Sequence, residues 1–126
     1  MAGIERLVER RMVAVSKVTS VSSAIQLMKG ARVSLVPVLD GKLLFGILER
    51  DEAERHLERW GDERNVGTMR LRRVFVELKD TPEKAAKLMV ENKLSRLPVV
   101  NSADEMRCVG TISATDIARR HKKKLF

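Results

Sequence analysis

The sequence predicts an α/β (α+β) fold built from two β-α-β-β-α repeats. Three observations point to it. The stretch SSAIQLMKGARVSLVPVL in the first half returns as EKAAKLMVENKLSRLPVV in the second. Matched residues stand 61 positions apart, among them Ala24 and Ala85, Met28 and Met89, Ser34 and Ser95, Pro37 and Pro98. In both halves, apolar residues at helical spacing precede two short apolar strands.

Each repeat opens with a short extended piece, around residues 12–19 and 71–78. A helix follows. Val21, Ala24, Ile25 and Met28 share one face in the first copy, and Ala85, Leu88 and Met89 in the second. Thr81-Pro82-Glu83 starts the second copy well: a hydroxyl cap, proline at the first helical position, then an acid. The strands are LVPVL and LLFGIL, then LPVV and RCVGTI, with Asp40-Gly41 a strong hairpin signal. After the second, longer turn the repeat offset grows to 64, matching Gly46 to Gly110. A last helix closes each half, with Ala53, Leu57 and Trp60 on one face in the first, and Ala114, Ile117, Ala118 and His121 in the second. The division is residues 1–60 with an N-terminal helix, a linker at 61–68, and residues 69–126 with a basic tail.

A copy of this size buries too little surface to be stable alone, so the two should share a core through their sheets. The helix stripes of Ile25, Met28, Leu57 and Trp60 would stay partly uncovered, which predicts a homodimer. At 44% hydrophobic and 33% charged residues, the composition is that of a globular protein. No run approaches the roughly 20 apolar residues of a membrane helix, and the N-terminus lacks a secretory h-region. Cys108 is alone, so no disulfide framework forms within the chain. The expected location is cytoplasmic, with no membrane partner.

The net charge of +8 attracts anions, and six basic residues against one acid lie between Arg107 and Lys124. Aromatic residues are only 3%, which argues against a platform for stacking single-stranded bases. No His/Cys/Asp cluster has metal-ligand spacing, and Ser113 has no histidine partner for nucleophilic catalysis. Cys108 and His121 read as packing residues.

Gly110 is followed by Ser113-Ala114-Thr115-Asp116 and a basic helix. Ser-x-x-Asp at that place is a helix cap, and it is equally a set of groups suited to a ligand. A helix N-terminus offers free N–H groups to phosphate, and one carboxylate can accept both hydroxyls of a cis-diol.

A β-α-β-β-α repeat with an LPVV strand and a following GxxSxxD, present twice, resembles the cystathionine-β-synthase (CBS) domain in tandem, the Bateman module. The likeness runs from about Arg11 to Arg120 and leaves no room for a catalytic domain. It implies two repeats packed through their sheets with pseudo-twofold symmetry and an adenosine-containing ligand (AMP, ADP, ATP or S-adenosylmethionine) in a cleft between them. It implies no catalysis and no required cofactor. By the same resemblance Asp116 holds the ribose diol, Ser113 and Thr115 offer hydroxyls, and Arg96 faces the phosphates. Thr19, Ala24, Val33 and Ser34 close around adenine, with Ile112 beneath.

The first copy departs from this pattern. Glu49, Asp51 and Glu52 stand where Ser113, Thr115 and Asp116 stand, and Leu35 replaces Arg96. A carboxylate about 4 Å from a phosphate repels it by about 1 kcal/mol in bulk water and about 4 kcal/mol at a surface-type dielectric. One competent site per chain is therefore expected, at the second repeat, in a regulatory module acting on a separate protein. Two other readings compete with it: a nucleic-acid-associated protein using the basic C-terminal face, and a dimerisation scaffold with vestigial clefts.

Overall fold

A computed structural model describes residues 3–125, with side chains described as far as Arg119. The repeats appear as two three-stranded sheets and four helices in the predicted order. The chain divides into two compact units. One is Val13–Arg73; the other runs from Val74 onward and includes the N-terminal segment up to Met12.

In the first unit β1 (Val15–Ser16) leads to α1 (Val21–Ala31), then β2 (Leu35–Asp40), β3 (Leu43–Glu49) and α2 (Arg50–Trp60). β1 pairs parallel with β2, and β2 antiparallel with β3. The parallel pair needs a crossover, which α1 supplies. Ser20 caps α1, its hydroxyl accepting from Ser23 N–H at 3.2 Å. Gly41 turns the hairpin at φ 62°, a conformation that favours glycine.

The second unit repeats the plan with β4 (Val76–Glu77), α3 (Pro82–Asn92), β5 (Arg96–Val100), β6 (Cys108–Ser113) and α4 (Ala114–Leu125). Thr81 caps α3 as expected, with proline in the first turn. Both α1 and α3 end on a left-handed residue that is not glycine, Arg32 and Lys93, each at φ 57°. Each left-handed residue costs roughly 1–2 kcal/mol, and the repeats share it. The next N–H, of Val33 or Leu94, reaches back to Met28 O or Met89 O.

Four expectations change. The extended pieces form strands of only two residues each, and the N–H of the following residue, Lys17 or Leu78, still donates to the neighbouring strand. Ile25 and Met28 are not left uncovered: they lie in a core with Val36, Val38, Leu48, Ala53 and Val66. Burying side chains of this size contributes about 1.5–3 kcal/mol each. Residues 61–68, expected as a linker, are tied by backbone bonds to the segment before α1. Val66 is fully buried, its N–H donates to Thr19 O at 2.8 Å, and Gly67 N–H donates to Lys17 O at 2.7 Å. The N-terminal helix is a single 3-10 turn, Glu5–Leu7.

The N-terminal segment joins the second unit through backbone. Glu9 and Thr111 exchange N–H···O bonds of 2.8 and 3.0 Å. In the first unit the segment around Leu71-Arg72 takes the equivalent place, with Ile47 N–H donating to Arg72 O at 2.9 Å. The matched glycines make room for both segments. A Cβ on Gly110 would lie 2.5 Å from Glu9 O and from Val8 Cγ1; one on Gly46 would lie 2.8 Å from Leu71 Cβ.

Candidate functional site

The start of α4 is built by β5 and β6. Arg96 lies opposite Ser113 in the antiparallel ladder, and Ser95 O accepts from Ala114 N–H at 2.8 Å, drawing the helix start against β5. Ser113 and Asp116 form a reciprocal cap. The Ser113 hydroxyl donates to Asp116 Oδ2 at 2.8 Å and accepts from Asp116 N–H at 3.1 Å. Ser113 N–H points to the same carboxylate oxygen at 3.4 Å. The capping geometry expected of Ser-x-x-Asp is therefore present.

That geometry leaves capacity. An ionised carboxylate has about four acceptor positions, and the cap uses Oδ2 alone. Oδ1 lies 4.0 Å from Arg119 Nη1. Asp116 is about a quarter exposed and Thr115 is exposed, so both face solvent at the helix start. Arg96 is half-buried and donates from Nη1 to Thr111 Oγ1 at 3.0 Å. Ile112 is fully buried and belongs to the core beneath the strand.

Arg96, Ile112, Ser113, Thr115 and Asp116 thus come together in the second unit. Thr19, Ala24, Val33 and Ser34 belong to the first. Ala24 is fully buried in the core, Val33 packs against that core, and Thr19 is half-buried. Ser34 is exposed, and its carbonyl accepts from Arg50 N–H at 2.9 Å. His121 and the lysines at 122–124 lie outside the residues whose side chains are described.

The start of α2 is organised differently. Glu49 is the N-cap residue but makes no side-chain cap bond. Its Oε2 accepts from Arg72 Nη2 at 2.7 Å. The pKa of Glu52 is raised, first by burial and then by the charge of Glu49. Arg72 and Arg55 pull the other way.

Sequence reasoning missed two partners, Thr111 for Arg96 and Arg72 for Glu49. Thr111 had a visible signal, since it stands where the first repeat has Ile47. Arg72 had none, since nothing local ties it to a residue 23 positions away. Cys108 is buried, and burial raises its thiol pKa, which suits a packing residue. Among the described residues no helix is long and apolar enough to cross a membrane. No group of three or more His, Cys, Asp or Glu placed to hold a metal ion occurs among them.

Comparison with known proteins bears on this arrangement. Inosine-5'-monophosphate dehydrogenase of Korarchaeum cryptofilum is 30% identical over 116 residues, covering 92% of this chain and 24% of that enzyme. The chain thus spans about a quarter of the length of that relative. Among solved structures, CBSX2 in complex with AMP matches over 100% of both chains at 24% identity and a TM-score of 0.79; a CBS-pair protein of that name comes from Arabidopsis thaliana. The CBS domain pair of protein MJ0100, in complex with 5'-methylthioadenosine and S-adenosyl-L-methionine, matches over 98% of both chains at 18% identity and a TM-score of 0.80. The CBS domain itself matches twice, over residues 4–59 and 64–123. With two such domains in tandem accounting for nearly all its residues, this chain belongs to the CBS domain family.

Proposed function

We propose that this chain is a regulatory module that binds one adenosine-containing ligand at the start of α4 and catalyses no reaction itself. The observation that carries the reading is the grouping of Ser113, Asp116 and Arg96 at one helix N-terminus, with acids and a leucine in the matching places of the first repeat. CBSX2 with AMP and the MJ0100 pair with S-adenosyl-L-methionine support the ligand class.

In this reading Asp116 keeps Ser113 on Oδ2 and accepts the ribose diol on its remaining lone pairs. Thr115 and the first N–H groups of α4 face phosphate, where the helix dipole favours negative charge. Arg96 offers a planar fork to phosphate oxygens. A regulated partner protein reads the bound state.

Titrating the full chain with AMP by calorimetry tests the reading. One site per chain is expected, and AMP should be recovered unchanged. Absence of binding by AMP, ATP and S-adenosylmethionine alike would refute it.

We also propose self-association into a homodimer. Its motive is now the exposed Trp60, Leu27 and Val90, together with an apolar groove of about 570 Å³ lined by residues including Met89, Leu94 and Ile117. Sedimentation at micromolar concentration should give twice the chain mass, and a clean monomer would contradict it.

A further inference from the structure

We propose that Thr111 is a positioning residue that aims Arg96 and so gives the α4 site its preference for phosphorylated over unphosphorylated adenosine ligands. The inference rests on the reading that Arg96 faces the ligand's phosphate.

Thr111 is 3% exposed, and its hydroxyl is one of the few buried polar side chains among the described residues. It accepts from Arg96 Nη1 at 3.0 Å. The direction is fixed by chemistry, because a guanidinium has no acceptor. Alternation along β6 places Thr111 on the same face as Ser113, and Arg96 lies opposite Ser113 on β5. Arg96 therefore runs diagonally across the ladder, from the helix start to the threonine beneath. Held by one Nη1 bond, the guanidinium keeps Nε and Nη2 for two phosphate oxygens, and loses less rotamer freedom when they arrive.

A bland reading is that a buried threonine simply needs a partner. The first repeat decides against it. There the same two ladder positions are Leu35 and Ile47, both buried and apolar, and the strands pair in the same register. The fold does not require the polar pair. Arginine and threonine stand at these two positions in the repeat that carries Ser113 and Asp116, and at neither of them in the repeat that carries Glu49 and Glu52.

The test is calorimetry of the full chain with AMP and with adenosine. Thr111→Val keeps the side-chain shape and removes the acceptor. It should weaken AMP about tenfold, the worth of one hydrogen bond to a charged group, while changing adenosine less than about twofold. Thr111→Ser should restore AMP binding. On an Arg96→Leu background, Thr111→Val should have no further effect, because the two residues act as a unit. Equal weakening of both ligands, an unchanged AMP preference in Thr111→Val, or additive losses with Arg96→Leu would overturn the proposal. If the wild type binds neither ligand, the functional reading fails and this inference with it. If the wild type prefers AMP and Thr111→Val keeps that preference, this inference alone fails.

Discussion

At the start of α4 a serine and an aspartate bond to each other; at the start of α2 two glutamates occupy the matching places, and Glu49 pairs with Arg72. Ser113 and Asp116 satisfy one another and still leave carboxylate lone pairs towards solvent. Glu49 reaches instead to Arg72, and Glu52 stands half-buried beside them. Both arrangements start an 11- or 12-residue helix after an equivalent strand. The fold thus accepts either set, and what differs is charge. One helix start combines a dipole, hydroxyls and Arg96; the other places carboxylates beside the same dipole and fills the position of Arg96 with Leu35. The pKa of Glu52 is raised there, first by burial and second by the neighbouring charge of Glu49.

The comparison can be broken first at the glycines. Gly110→Ala should destabilise the chain by about 2–3 kcal/mol, since its Cβ would meet backbone and a methyl group of the N-terminal segment at 2.5 Å. Gly46→Ala should cost less, because its nearest contact is 2.8 Å. Urea unfolding measures both, and an equal or reversed order would mean that the two segments are not held as described.

These same glycines show what was readable in the sequence. The repeats were legible because core positions recur at helical and strand spacing, and because Asp40-Gly41 marks its hairpin. The docking of residues 8–9 against β6 was not, since it uses backbone N–H and C=O groups about a hundred positions apart and leaves no pattern beyond a bare glycine. Ile25 and Met28 read as uncovered because one helical stripe looks the same whether a sheet or a second copy lies over it. At the site, Ser113, Asp116 and Arg96 were legible as motif residues. The Glu49–Arg72 pair, with nothing local to announce it, was not.

Capping gives a smaller contrast. Ser113→Ala removes a hydroxyl that both donates and accepts, and should cost about 1 kcal/mol by thermal or urea unfolding. Glu49→Ala removes no cap bond and only a partly exposed ion pair, so its cost should stay below about 1 kcal/mol. A larger loss at Glu49 than at Ser113 would invert the assignment of which helix is capped.

The smallest effect is a pH dependence at Glu52. Its folded pKa is raised, so between the ordinary carboxylate range and the raised value the folded chain holds more protons than the unfolded one. Stability contributed by this group therefore falls as pH rises through that window. Glu52→Gln stays neutral, so its melting temperature relative to wild type should rise between about pH 4 and about pH 8. A relative melting temperature that falls over that range would mean that Glu52 is stabilised as the anion.

The most direct measurement is a calorimetric titration of AMP into wild type, Asp116→Asn and Glu52→Gln under one set of conditions. Asp116→Asn keeps shape and much of the cap while halving the carboxylate acceptors. One site per chain is predicted in the wild type, with binding about ten- to a hundredfold weaker in Asp116→Asn at an unchanged circular dichroism spectrum, and unchanged in Glu52→Gln. Two equivalent sites, or undiminished affinity in Asp116→Asn, would contradict a single ligand site at the start of α4.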